Sequence, residues 1–183
     1  MSETPPPAGE QAPDSTYLKD FIYGAIDGAV TTFAVVSGVA GAGLSSSVII
    51  ILGIANLVAD GFSMAVSNFL GSRAENQALD KRGERPGQEK PPARAAAVTF
   101  VAFVIVGAIP LLSFVTNWIV PGTFQSPFLW SSVLTGLAFF AVGASKSRFV
   151  VQHWFLCGAE TLAVGGIAAG IAYGIGVLLE SAV

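Results

Sequence analysis

Three carboxylates lie where a carboxylate is costly. Asp27, Asp60 and Glu160 fall inside or at the edge of long apolar segments of a 183-residue chain. An ionisable group buried in hydrocarbon persists when it lines a cavity or has a partner. Around Asp60, the residues Asn56, Ser63 or Met64, and Ser67 or Asn68 recur at steps of three to four, which places them on one helix face. Asp20, Gly24, Asp27, Gly28 and Thr31 repeat the pattern one segment earlier. Two such polar faces turned toward each other would line a path. Carboxylates supply charge for a divalent ion, and the thioether of Met64 shifts the preference toward softer transition metals than Mg or Ca. The plainer alternatives are that Asn and Ser tie helices together by hydrogen bonds, that glycines permit close packing and that Met64 fills core.

The elements that must hold these residues follow from composition. The chain is 52% hydrophobic and 11% charged, whereas soluble domains carry about 25% charged residues. Residues 28–59, 95–145 and 161–179 contain no charged residue and no histidine. At about 20 apolar residues per crossing, five spans are predicted, at roughly 20–41, 48–70, 95–115, 128–145 and 156–179. The longest uncharged stretch counts as two spans because Pro121, Gly122 and Pro127 supply a turn. The fifth span has the least defined start, since Phe149 to Trp154 could lie in the membrane surface. The expected fold class is an all-α integral membrane protein of five transmembrane helices. Residues 1–19 read as a disordered tail, 20–179 as the membrane domain with a short linker at about 71–94, and 180–183 as a C-terminal tail.

Charge distribution orients the bundle. The nine basic residues are Lys19, then Arg73, Lys81, Arg82, Arg85, Lys90 and Arg94 between spans two and three, then Lys146 and Arg148 after span four. All fall on one side of a five-span topology, which places that side and the N-terminus in the cytoplasm and the C-terminus across the membrane. On this reading Asp27 lies seven residues past Asp20, roughly 10 Å deep, and Asp60 lies ten residues before Leu70, roughly 15 Å deep. Twelve acidic residues against nine basic ones leave a net charge of −3, so no nucleic-acid partner is expected. The lone Cys157 and the lack of a Cys/His cluster leave no seat for a disulfide, a structural zinc or redox chemistry. The expectation is a protein that is not an enzyme and holds no resident cofactor.

Several segments together resemble the vacuolar iron transporter family: Asp27-Gly28 followed by Thr-Thr-Phe-Ala-Val-Val-Ser-Gly-Val-Ala-Gly-Ala, Ser63-Met64-Ala65, the Pro92 and Pro110 segments, and Gly165-Gly166 with Tyr173 and Gly176. The resemblance runs from Asp20 to Leu179 in a short form. It implies a dimer of five-span subunits with a path along the first spans at the dimer interface, through which Fe(II) or Mn(II) leaves the cytoplasm in exchange for protons. It matches the family's pore aspartate to Asp27 and its pore methionine to Met64. Two departures stand out. Many relatives have a glutamate where this chain has Asn68, and plant members have a long Glu-rich domain where this chain has only the 71–94 linker.

The expected metal site is therefore Asp27, Asp60 and Met64, with Thr31, Asn56, Ser63, Asn68 and Glu160 as path-lining candidates. Glu160 is either a second proton site or a snorkelling residue, and His153 beside Trp154 reads as interfacial. Two stripes of small residues, Gly24 with Gly28 and Gly166, Gly170 with Gly174, fit either packing within a subunit or a dimer seam. The expected partners are membrane lipid, a divalent cation and a second copy. The expected location is a bacterial inner membrane, with an organelle membrane as the alternative. A passive metal channel and a non-transporting membrane scaffold are the competing functions.

Overall fold

A computed structural model of the chain describes residues 13–83, 91–148 and 150–182. Six α-helices build it: α1 Pro13–Gly41, α2 Ser46–Arg82, α3 Pro92–Gly107, α4 Leu112–Ile119, α5 Pro127–Ser145 and α6 Trp154–Glu180. Helices α3 and α4 form one span, Pro92–Ile119, so five segments are long and apolar enough to cross a membrane. This is the all-α, five-helix membrane architecture that the uncharged runs predict.

The break inside the third span has a local cause. Pro110 has no N–H to donate and its ring clashes with the preceding turn, so α3 ends at Gly107 and a single 3-10 turn, Ile109–Leu111, leads into α4. Side-chain hydroxyls tie the break to its neighbours. Ser131 on α5 donates its hydroxyl to the Pro110 carbonyl at 2.6 Å, and Ser113 on α4 donates to the Pro127 carbonyl at 2.8 Å. The turn after α4 is closed by Asn117, whose side-chain oxygen accepts from the Phe124 N–H at 3.1 Å, and by Gly122 at φ +86°.

Helix α1 is the hub: it packs against α2, α3, α5 and α6. Its glycines permit this. A Cβ on Gly24 or Gly28 would strike the backbone of Thr99 or Phe103 on α3, and one on Gly41 would strike the backbone of Tyr173 on α6. Gly107 and Gly176 answer from the opposite sides, pressed on the backbones of Gly28 and Gly38. Phe33 completes the hub, stacked on Phe128 at 6.5 Å and edge-on to Phe139 at 6.3 Å, both on α5. The Gly24 and Gly28 stripe thus packs inside the subunit. Gly166, Gly170 and Gly174 have nothing within 4 Å and face outward from α6.

Two boundaries differ from the sequence expectation. Helix α2 does not stop near Leu70 but runs to Arg82, so residues 71–82 of the expected linker are helical. The reason is composition: Ala74 to Arg82 is rich in good helix formers, with Lys81 and Arg82 placed favourably in the last turn. Gly83 at φ 68° then ends the helix, its N–H bonded to the Asp80 carbonyl at 3.2 Å. Residues 84–90 of that linker lie outside the described residues. Likewise α1 begins at Pro13, so 13–19 are helix rather than tail, and residues 1–12 lie outside the described residues. Helix α6 starts at Trp154, with the ring nitrogen of His153 accepting the Phe155 N–H at 3.3 Å as its cap.

The glycine contacts separate two kinds of position. Gly28→Ala should lower the stability of the purified protein by about 1–3 kcal/mol, because a methyl must push α3 away. Gly170→Ala should stay within about 0.5 kcal/mol. Thermal unfolding in detergent checks this, and equal midpoints would mean that α1 and α3 do not touch through backbone.

Candidate metal path

Helix α2 turns a single row of polar residues to the flank of the bundle. Its buried positions are Ile49, Gly53, Leu57, Gly61 and Ala65, and Gly61 lies against the rings of Phe100 and Phe103 on α3. With that edge fixed inward, Asn56, Asp60, Met64 and Asn68 form the half-buried row beside it, each four residues from the last. The step of four decides between the candidates that spacing had left open. Ser63 and Ser67 are exposed and stand apart from the row. Glu160 is also exposed, on α6, and is not brought into it.

The row is anchored at its basic end. The Asn68 side-chain amide donates to a carboxylate oxygen of Asp20 at 3.1 Å and to the Thr99 hydroxyl at 2.6 Å, and its oxygen accepts from Ser72 at 3.1 Å. Thr99 in turn donates to the Ala95 carbonyl at 3.0 Å. One amide thus joins α1, α2 and α3, and Asp20 and Thr99 are both buried where it does so. A primary amide suits this position because it donates twice and accepts at once. A carboxylate there would have no proton to give Asp20.

This link sets the relative depth of the two inner acids. Asp27 lies seven residues beyond Asp20 on α1, and Asp60 lies eight residues before Asn68 on the antiparallel α2. At about 1.5 Å per residue both sit roughly 10–12 Å from the Asp20–Asn68 bond. Both are half-buried. Thr31 donates its hydroxyl proton to the Asp27 backbone carbonyl at 2.8 Å. The Asn56 amide nitrogen is buried and makes no hydrogen bond among the described residues.

As chemistry, the row on α2 offers one carboxylate, one thioether and amide oxygens, and Asp27 on α1 adds a second carboxylate. Among the described residues no three His, Cys, Asp or Glu side chains gather in one place, which is the pattern of a resident metal centre. Asp20 enters the sequence reading as the mouth of span one and as a member of its polar face, not as a partner of Asn68, and Thr99 and Ser72 do not enter it. The i, i+4 spacing of Asn68 and Ser72 is a visible signal for one of these contacts, while nothing in the Ala-rich start of α3 marks Thr99.

Comparison with known proteins is consistent across most of the chain. The model of the VIT family matches residues 18–90 and 80–177. A vacuolar iron transporter of Toxoplasma gondii is 26% identical over 91% of this chain and 75% of its own length. Vacuolar iron transporter homolog 5 of Oryza sativa subsp. japonica is 28% identical over 86% of this chain and 85% of its own length. A vacuolar iron transporter of Plasmodium falciparum is 38% identical over a shorter stretch, 42% of this chain and 31% of its own.

The Asn68 junction has a measurable weight. Asn68→Leu should lower stability by about 1–2 kcal/mol, at the upper end for polar contacts in membrane bundles. Asn68→Asp should lower it further, since it sets a second carboxylate against the buried Asp20, while the exposed Ser67→Ala should be silent. Thermal midpoints of the three variants in one detergent give the order, and a silent Asn68→Leu would remove the junction as an anchor.

Proposed function

The chain belongs to the VIT family, and from that membership we propose that it carries divalent metal ions, Fe(II) or Mn(II), across the bilayer, out of the cytoplasm and in exchange for protons. One observation supports this most: Asp27 and Asp60 are half-buried on adjacent antiparallel helices inside apolar spans, level with each other relative to the Asp20–Asn68 bond. Ionisable residues inside membrane spans mark ion pathways and proton relays. The relatives named vacuolar iron transporter support the choice of a metal as cargo. The nine basic residues, all on one side of the five spans, support that side being cytoplasmic.

In this reading Asp27 and Asp60 supply charge and oxygen ligands to the passing ion. Met64, in the same row as Asp60, adds a softer donor that favours Fe(II) over Mg or Ca. Asn56 offers its amide oxygen one turn further from the basic side. A first-row dication with oxygen donors prefers about six ligands, more than one such row provides. A homodimer that apposes two copies of the row supplies the remainder, so the complete path is assigned to two subunits. The membrane assigned is a bacterial inner membrane, with an organelle membrane as the alternative.

Proton exchange follows from the same two acids. Protons and a dication compete for the same oxygens, so a ligand set must shed its protons to receive the metal. Loading the site then releases protons on one side, and unloading takes them up on the other.

Flux into sealed vesicles tests the cargo. Wild-type protein should move Fe(II) or Mn(II) down an opposing pH gradient, and Asp27→Asn should reduce flux at least tenfold while leaving a folded, inserted protein of unchanged oligomeric size. No metal movement by wild type under any gradient would make the protein a scaffold instead. Asp60→Asn should still bind metal, more weakly, but release fewer protons per ion and lose most of the pH-gradient dependence. Titrating metal into weakly buffered, detergent-solubilised protein while recording pH checks this, and unchanged proton release would take Asp60 out of the exchange. Flux without any proton release would make the path a passive channel.

A further inference from the structure

The ends of α1 and α5 on the basic side leave a groove of about 240 Å³ between them. Leu18, Phe21, Ile22, Ala141 and Val142 form its apolar walls, and Ser145 and Arg148 stand at its mouth. It does not touch the Asp27–Asp60 row. Its position is set by two spans, Tyr17–Gly41 and Pro127–Arg148, that reach the same surface at Leu18 and Arg148. The apolar residues lie within the spans, and Arg148 is the last residue of the second.

The chemistry of the lining names an occupant. A slot with apolar walls inside the bilayer and a guanidinium at its rim matches the two halves of a phospholipid, an acyl chain below and a phosphate above. Arg presents a planar fork of donors that meets phosphate oxygens in pairs. Ser145 already gives its proton to the Ala141 carbonyl at 2.9 Å, so it adds polarity at the mouth without competing for Arg148. Lys146 lies two residues before Arg148 and Lys19 adjoins Leu18. Among the described residues no carboxylate lines the groove. Asp20, the nearest acid along α1, is buried and bonded to Asn68 on the other side of the helix. The local charge is therefore positive, and basic pockets between spans on this side of a bilayer bind anionic headgroups.

We propose that the α1–α5 groove is a specific site for an anionic phospholipid of the leaflet on the basic side, with the phosphate on Arg148 and an acyl chain between Phe21, Ile22, Ala141 and Val142. The lipid splints the start of α1 to the end of α5. It acts on the helix that carries Asp27 without touching the ion, so this site stands apart from the identity of the cargo. A second copy of the chain is the competing occupant, and a merely electrostatic attraction to the whole basic surface is the competing cause.

Thermal unfolding of purified protein in detergent, with phosphatidylglycerol or phosphatidylcholine of identical acyl chains added, decides between them. Phosphatidylglycerol should raise the wild-type midpoint by several degrees more than phosphatidylcholine. Arg148→Gln should lose most of that difference. Ala141→Phe, which fills the slot and keeps the charge, should lose the stabilisation as well, so either variant suffices if the other fails to fold. Arg82→Gln, a charge removed from the exposed end of α2, should keep the full difference. Equal shifts for the two lipids, a full shift in both groove variants, or an equal loss in Arg82→Gln would each overturn the proposal. So would a change of oligomeric size in Arg148→Gln that does not depend on lipid.

Discussion

Everything in this bundle hangs on how closely α1 can approach its neighbours. In hydrocarbon there is no apolar driving force to press helices together, and close backbone contact takes its place. Gly24 and Gly28 bring α1 onto the backbone of α3, and Gly41 and Gly176 bring it together with α6. A single Cβ in these seams would separate whole helices, because the atoms it meets are main chain rather than flexible side-chain ends. The central position of α1, and hence the burial of one side of Asp27, is a consequence of hydrogen atoms standing where methyl groups would be.

Close approach positions the helices laterally but leaves them free to slide. The Asn68 amide removes that freedom at the basic side by bonding Asp20 on α1 and Thr99 on α3 together. Directional bonds fix registry in a way that smooth apolar contact does not. The depth of Asp60 relative to Asp27 is thus decided by groups seven or eight residues away, and the two inner acids need no contact of their own to stand level. The third span obeys the same logic at Pro110, where the helix breaks and Ser131 on the neighbouring helix bonds the Pro110 carbonyl.

The five spans are legible in the sequence because hydrocarbon excludes charge so strongly that uncharged runs mark them directly. The polar row on α2 is legible only up to an ambiguity, since helical periodicity allows steps of three or four. Choosing Met64 and Asn68 over Ser63 and Ser67 requires knowing that Gly61 faces α3, and that is a property of packing. The end of α2 is missed because hydropathy reports where the bilayer stops, whereas the helix stops where Gly83 takes a left-handed conformation. Thr99 is missed because its partners are 31 and 4 residues away, and only the distant one gives it a role in holding helices together.

That continuity of α2 makes it a shaft. From Asp60 to Arg82 there is no break in the α-helical ladder, so the azimuth of the carboxylate in the membrane is rigidly phased to that of Lys81 and Arg82 outside it. An insertion of one residue between them would rotate the outer end by about 100°, whereas one of seven would return it to within about 20°. Any module spliced onto the outer end in the right phase would inherit a fixed bearing toward the polar row, and any torque applied there would be felt at Asp60. The stub beyond Leu70 is in this sense a mechanical coupling with a defined clock angle relative to the polar row.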